Sequence, residues 1–167
     1  MFWQVIGMVW IVTGGIDKGK TARVMVLWAD LKDLGYDGIV SLKVFEGDEL
    51  KGYTLKRLSD GKERMLAVRE ESKVFRLQSG NLYFDPDAFE WADEVIDEIC
   101  KDPRCEGIIV DEIGPLELRG MGLYDAFTEA LLCGKDVIAV VRKSSLEDVL
   151  ENFEIEEFVL MDVEEEQ

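Results

Sequence analysis

One eight-residue stretch constrains this chain more than any other: Gly14-Gly15-Ile16-Asp17-Lys18-Gly19-Lys20-Thr21. It fits the spacing G-x-x-x-x-G-K-[ST]. It lies between an apolar run, Val9-Trp10-Ile11-Val12-Thr13, and a segment with helical periodicity. A buried strand that ends in a glycine loop and restarts as a helix turns successive backbone N–H groups toward one point. The helix adds its positive N-terminal end. Such a loop suits a phosphate chain. Lys20 is placed to reach the β- and γ-phosphates and the Thr21 hydroxyl to ligate Mg²⁺, with Gly14 through Ala22 forming the cradle. A glycine turn with a chance Gly-Lys-Thr is the alternative, and the strand–loop–helix setting argues against it.

The rest of the chain alternates between the two periodicities. Val24, Leu27, Leu31 and Leu34 predict a helix over about 20–34, closed by Gly35 as a left-handed cap. A second strand is expected near Ile39 to Phe45. The stretch from about 46 to 84 changes character: it alternates, it is rich in Lys and Arg, and Ser59-Asp60-Gly61-Lys62 signals a hairpin turn. Asp85-Pro86 opens a helix with Phe89, Ala92, Val95, Ile96 and Ile99 on its apolar face. Gly107 to Asp111 reads as a central parallel strand, 123–132 as a helix stopping at Gly134, and Val137 to Val141 as another buried strand. Ser144 with Glu147 offers a capping box, and Phe158 to Met161 a last strand. The acidic tail over 162–167 reads as solvated and frayed, and the Trp and Met residues as core. The expectation is an α/β fold in one domain over 1–167: a mainly parallel sheet flanked by helices, with an antiparallel hairpin excursion after the second strand. Met8 stands just before the first strand, so Met1 to Gly7 reads as a possible extension of the true start.

A second chemical signal is Val110-Asp111-Glu112 at the end of a buried strand. Ligands of open α/β sheets bind beyond the carboxyl ends of strands. Asp111 is placed to hold Mg²⁺ through water, and Glu112 to orient or deprotonate a water at the γ-phosphate; a helix cap or turn is the other reading of the pair. Arg142 follows the Val137–Val141 strand. If that strand lies between those ending at Thr13 and Asp111, Arg142 emerges beside the γ-phosphate; otherwise it is a surface arginine.

Composition narrows the partners. There are 19 Lys+Arg against 36 Asp+Glu, a net charge of −17, so nucleic acid and anionic membrane are disfavoured as partners. The absence of histidine removes mechanisms that need a His base or ligand. No apolar run approaches the length of a membrane span. Cys100, Cys105 and Cys133 form neither a disulfide framework nor a zinc spacing, and reduced thiols imply a cytoplasmic location. Asn and Gln together number five against abundant Glu, a balance that leans toward a thermophilic source. Nothing in the residues names a protein partner.

Val110 through Leu118, read as Asp-Glu-Ile-Gly-x-x-Glu-Leu, resembles the signature of the thermophilic and cancer-related nucleoside triphosphatases, small P-loop proteins of about this length. Gly38 through Gly52-Tyr53 and Gly80 through Asp85 with Phe89 are similar to further parts of that family, so the resemblance covers nearly the whole chain. It implies Mg²⁺-dependent hydrolysis of small-molecule nucleotides, ATP, GTP, CTP and UTP, with loose base selectivity. The loop departs from the family: Ile16 and Asp17 stand where Pro and Gly are usual, Lys18 where a small or apolar residue is, Ala22 where Thr is common, and Lys51 where Arg is. Asp17 adds negative charge beside the phosphates, which Lys18 is expected to offset by pairing with it or by touching phosphate. Glu117 is expected to order the loop after Asp111-Glu112, and Arg119 to reach toward nucleotide. Two rival readings are a nucleoside-like small-molecule kinase, with the basic hairpin supplying an acceptor pocket, and a nucleotide-dependent switch with negligible turnover.

Overall fold

The computed structural model describes residues 7–165. The extension read at Met1 to Gly7 lies outside it except for Gly7, and so do the last two residues of the tail. In chain order the strands are β1 (Val9–Gly14), β2 (Tyr36–Glu46), β3 (Glu49–Arg57), β4 (Glu63–Val68), β5 (Leu77–Ser79), β6 (Leu82–Phe84), β7 (Gly107–Ile113), β8 (Asp136–Arg142) and β9 (Val159–Asp162). The helices are α1 (Lys20–Leu31), α2 (Pro86–Lys101), α3 (Pro115–Leu118), α4 (Tyr124–Leu132) and α5 (Leu146–Asn152). Among the described residues all nine strands form one sheet, ordered β5-β6-β4-β3-β2-β7-β8-β1-β9. β2, β7, β8, β1 and β9 run parallel; β3 to β6 pair antiparallel. The basic hairpin therefore continues the main sheet past β2 rather than leaving it.

Alternation along the central strands sorts side chains to two faces. Val12, Val40, Ile109 and Val140 bury one face with Val24 of α1. Ile11, Ile39, Ile108 and Val110 bury the other with Phe89, Ile96 and Ile99 of α2 and Phe127 of α4. β8 lies between β1 and β7, with Gly14 in register with Arg142, as the strand pattern led us to expect.

Several local expectations are corrected. The α-helical part of the first helix ends at Leu31, and Lys32–Leu34 tighten into a 3₁₀ turn before Gly35, which takes the left-handed conformation at φ 87°. The Ser144 capping box does not form. Lys143–Ser145 make their own 3₁₀ turn, so Ser145 becomes the N-cap, without a side-chain capping bond. Met8 and Met65 are exposed rather than core. The tail is tied down near its start: Val163 N–H donates to Thr13 O at 2.9 Å, and Lys143 lies between Asp162 at 2.9 Å and Glu164 at 3.7 Å.

Asp37, buried at the start of β2, accepts from Gly38 N–H at 2.8 Å, Ser59 N–H at 2.9 Å and Arg57 Nε at 3.1 Å. It fastens the antiparallel half of the sheet to the parallel half. Asp37→Ala strands two backbone donors and half-frees Arg57, so urea unfolding should show a loss of about 2–3 kcal/mol.

Candidate functional site

The glycine loop joins β1 to α1 at the carboxyl edge of the parallel strands. Gly19, at φ 89°, is the N-cap of α1, and a Cβ there would meet no other atom, so conformation alone asks for glycine. Asp17 also sits in the left-handed region, at φ 57°, a position that glycine fills more easily. Its carboxylate accepts a hydrogen bond from Lys43 Nζ of β2, which holds it below the usual carboxylate range. Lys43, not Lys18, neutralises Asp17. Lys18 stays exposed at the loop's mouth.

Lys20 is 7% exposed, and its Nζ donates to Gly15 O at 2.7 Å. The same ammonium lies 4.0 Å from Glu112 Oε2. Thr21 Oγ1 donates to Asp111 Oδ2 at 2.8 Å. Asp111 is 1% exposed, and burial pushes its carboxyl up to about 7, against the Thr21 hydroxyl, the Ser41 backbone and Lys20, which favour the charged form. Between β7 and β8 the register slips, Asp111 opposing Val140 and Ile113 opposing Val141. The slip takes Glu112 out of the ladder and leaves it lining the cavity. Arg142 Nη2 stands 3.5 Å from Glu112 Oε1, an ion-pair contact rather than a tight hydrogen bond. Its Nε is buried without a protein partner.

A cavity of about 770 Å³ opens over these groups. It is lined by Ile16 through Ala22, Asp111, Glu112 and Arg142. Gly14 and Gly15 do not line it. A Cβ on Gly14 would come within 2.6 Å of Val163, so that glycine serves the packing at the loop's root. Arg119 is exposed on the turn after α3 and does not line the cavity, which corrects its expected reach toward nucleotide. Lys51 pairs with Glu46 and Glu49 at the hairpin tip.

Glu117 fills its expected role through backbone contacts. It is 5% exposed and accepts from Gly114 N–H and Leu123 N–H, each at 2.8 Å, pinning the turn after β7 to the start of α4. Burial pushes it up to about 7. Asp111 and Glu117 therefore hold their protons more tightly in the fold than in the unfolded chain. The stability this adds is full below about pH 4 and is lost as pH rises through about 7. The ligand-free chain should melt lower at pH 8 than at pH 5, and Glu117→Gln should flatten that slope.

Lys43 as partner of the loop escaped the sequence, because it depends on which strand neighbours which. The hairpin is expected to offer a pocket through its basic residues, whereas β3, β4 and β6 line the cavity mainly with apolar side chains, and α2 joins them.

The donor set fits Mg²⁺. Thr21 Oγ1 and the Asp111 carboxylate are adjacent hard oxygens, one of them on a buried acid. Among the described residues no group of three or more His, Cys, Asp or Glu could hold a metal by itself. Mg²⁺ is typically bound by one or two protein oxygens with phosphate and water completing its shell.

Comparison with known proteins gives a consistent set of likenesses. The model of a family described as NTPase matches residues 9–167. The chain is 30% identical over 142 residues to nucleoside-triphosphatase THEP1 of Methanopyrus kandleri, covering 84% of this chain and 76% of that one. It is 31% identical over 140 residues to nucleoside-triphosphatase THEP1 of Hyperthermus butylicus, covering 80% and 70%. Its fold is similar to the crystal structure of THEP1 from the hyperthermophile Aquifex aeolicus, with a TM-score of 0.69 at 22% identity over 93% of this chain and 90% of that one. It is also similar to the solution structure of a human cancer-related nucleoside triphosphatase, with a TM-score of 0.67 at 19% identity over 93% and 88%.

Proposed function

This chain belongs to the NTPase family, and from that premise we propose that it hydrolyses nucleoside 5′-triphosphates to diphosphate and phosphate, with Mg²⁺ and with little selectivity for the base. The observation that carries the reading is the convergence of Lys20, the Thr21–Asp111 pair, Glu112 and Arg142 on one end of the loop. The loop amides and Lys20 bind phosphate oxygens, which every nucleoside triphosphate shares, and that favours loose base selectivity. Thr21 and Asp111 would hold Mg²⁺, which would supply positive charge against the phosphates. Glu112 accepts a hydrogen bond from water and aims it at the γ-phosphorus. Arg142, steadied against Glu112, offsets charge that builds on the γ-oxygens.

The same reading takes residues 1–167 as one domain in the cytoplasm, without nucleic-acid or membrane partners. One sheet contains every described strand, the described cysteines are all free, and the net charge of −17 opposes a polyanion. Among the described residues no helix is long and apolar enough to cross a membrane.

Phosphate release from ATP, GTP, CTP and UTP tests the proposal. All four should be hydrolysed with kcat/KM values within about a hundredfold of one another, because the loop amides and Lys20 meet the phosphates that all four share. EDTA should abolish the release. Release from none of the four, in a folded chain that binds nucleotide, would overturn hydrolysis and favour the switch.

A further inference from the structure

We propose that the far end of the cavity is a second substrate compartment, which takes a nucleoside-sized aromatic alcohol and presents its hydroxyl to Glu112 as an acceptor of the γ-phosphoryl group. The inference rests on the triphosphate reading above and adds an acceptor to it.

Size is the first observation. The cavity runs from the loop past Asp111 and Glu112, across the ends of β7 and β2, to β3, β4, β6 and the start of α2. A triphosphate on the loop occupies the end formed by Ile16 through Ala22. The whole space, about 770 Å³, lies within the range of pockets that enclose an organic ligand.

Direction is the second. Loop amides cradle the α- and β-phosphates and the loop lysine reaches the γ end. Glu112 stands 4.0 Å from that ammonium and lines the cavity. Walls from β3, β4 and β6 lie across β8, β7 and β2 from the loop strand β1. The compartment therefore begins where the phosphate chain ends, and the nucleoside end of the triphosphate points elsewhere.

Chemistry is the third. Activating a water calls for no apolar wall, yet Tyr53, Leu66, Leu82, Phe84 and Phe89 supply one. Phe84 and Phe89 stack with centroids 5.8 Å apart, a surface suited to a planar ring. Arg69 stands at the exposed rim, its guanidinium only 3.5 Å from Leu50 O. Among the described residues no carboxylate is within ion-pair distance of it, which leaves its donors for the polar edge of a ligand. The hydrolytic reading uses none of these side chains.

The transfer balances without a further reactant. The acceptor oxygen attacks the γ-phosphorus and its O–P bond forms. The bond from that phosphorus to the β,γ-bridging oxygen breaks, and the bridging oxygen leaves with the diphosphate and the electron pair. The hydroxyl proton passes to the Glu112 carboxylate. The products are a phosphomonoester and a nucleoside diphosphate.

The test uses the full chain with γ-labelled ATP and Mg²⁺, with and without each of the four ribonucleosides. At least one nucleoside should yield a labelled organic phosphomonoester, at a rate at least about tenfold above acceptor-free phosphate release, because a bound acceptor is positioned as water is not. Leu82→Trp, filling the compartment away from the loop, should lower that product at least about tenfold, with ATP affinity, read by titration, showing that the loop is intact. Arg69→Ala, at the rim where folding is not at stake, should raise the KM for the nucleoside. Inorganic phosphate as the sole labelled product with all four nucleosides overturns the acceptor compartment and leaves hydrolysis standing. Displacement of ATP by nucleosides without product also overturns it, by putting the base of ATP in the cavity. So does parental product formation in both variants. Phosphomonoester formation in a chain that releases no phosphate alone would overturn hydrolysis and uphold the compartment.

Discussion

Lys20→Ala is expected to give a folded chain that no longer binds ATP measurably. The ammonium is 7% exposed and stands at the centre of the site, 2.7 Å from Gly15 O and 4.0 Å from Glu112 Oε2. Hydrogen bonds from a charged group each contribute about 1.5–3 kcal/mol, and this lysine is placed to make two to phosphate oxygens. Losing them weakens binding by at least about a hundredfold. Removing the cation also leaves Asp111 and Glu112 facing the phosphates, with Arg142 still in contact with Glu112. The apolar packing of α1 through Val24 does not involve Lys20, so the melting temperature should move little. Titration with ATP beside a thermal melt of the same preparation checks this. Parental affinity in the folded variant would contradict the phosphate cradle.

The parts of the site that the sequence reveals are those written in consecutive residues. Gly14 through Thr21 carries its own geometry, since strand, loop and helix follow one another and Gly19 needs the left-handed conformation that helps curl the loop. Asp111 and Glu112 announce themselves because a short, wholly apolar strand reads as a central parallel one, and ligands bind beyond the carboxyl ends of such strands. Glu117 is readable for the same local reason, its backbone partners Gly114 and Leu123 lying within six residues. Arg142 was conditional on strand order, and β8 between β1 and β7 satisfies the condition.

What stays hidden depends on contacts between distant segments. Asp17 and Lys43 are 26 residues apart, and nothing local distinguishes Lys43 from the chain's other lysines. Lys18, next to Asp17 in sequence, is the local candidate, but the Asp17 carboxylate accepts from Lys43 of β2 instead. Phe89 reads as part of a helix's apolar face, and only the fold shows that it shares a cavity with Leu66, Phe84 and Glu112. The failed Ser144 cap has a similar origin. The chain leaves β8 through a 3₁₀ turn, which moves the helix start one residue along.

Glu112→Gln is the second large expected effect, and it bears directly on whether this site hydrolyses. Glu112 lies outside the β7–β8 ladder, is 29% exposed at its side chain, and touches Lys20 and Arg142. A group that orients or deprotonates water acts more in the transition state than in the ground state. Its amide should therefore lower kcat by roughly 10²–10⁴-fold. Removing a negative charge beside the γ-phosphate should leave triphosphate affinity steady or tighter. A structural role would instead lower the melting temperature and leave turnover per folded molecule intact. The decisive measurement is steady-state phosphate release together with ATP affinity on one folded preparation of Glu112→Gln. Release reduced at least about a hundredfold with affinity retained is the predicted result; release at the parental rate would contradict Glu112 as the group that activates water.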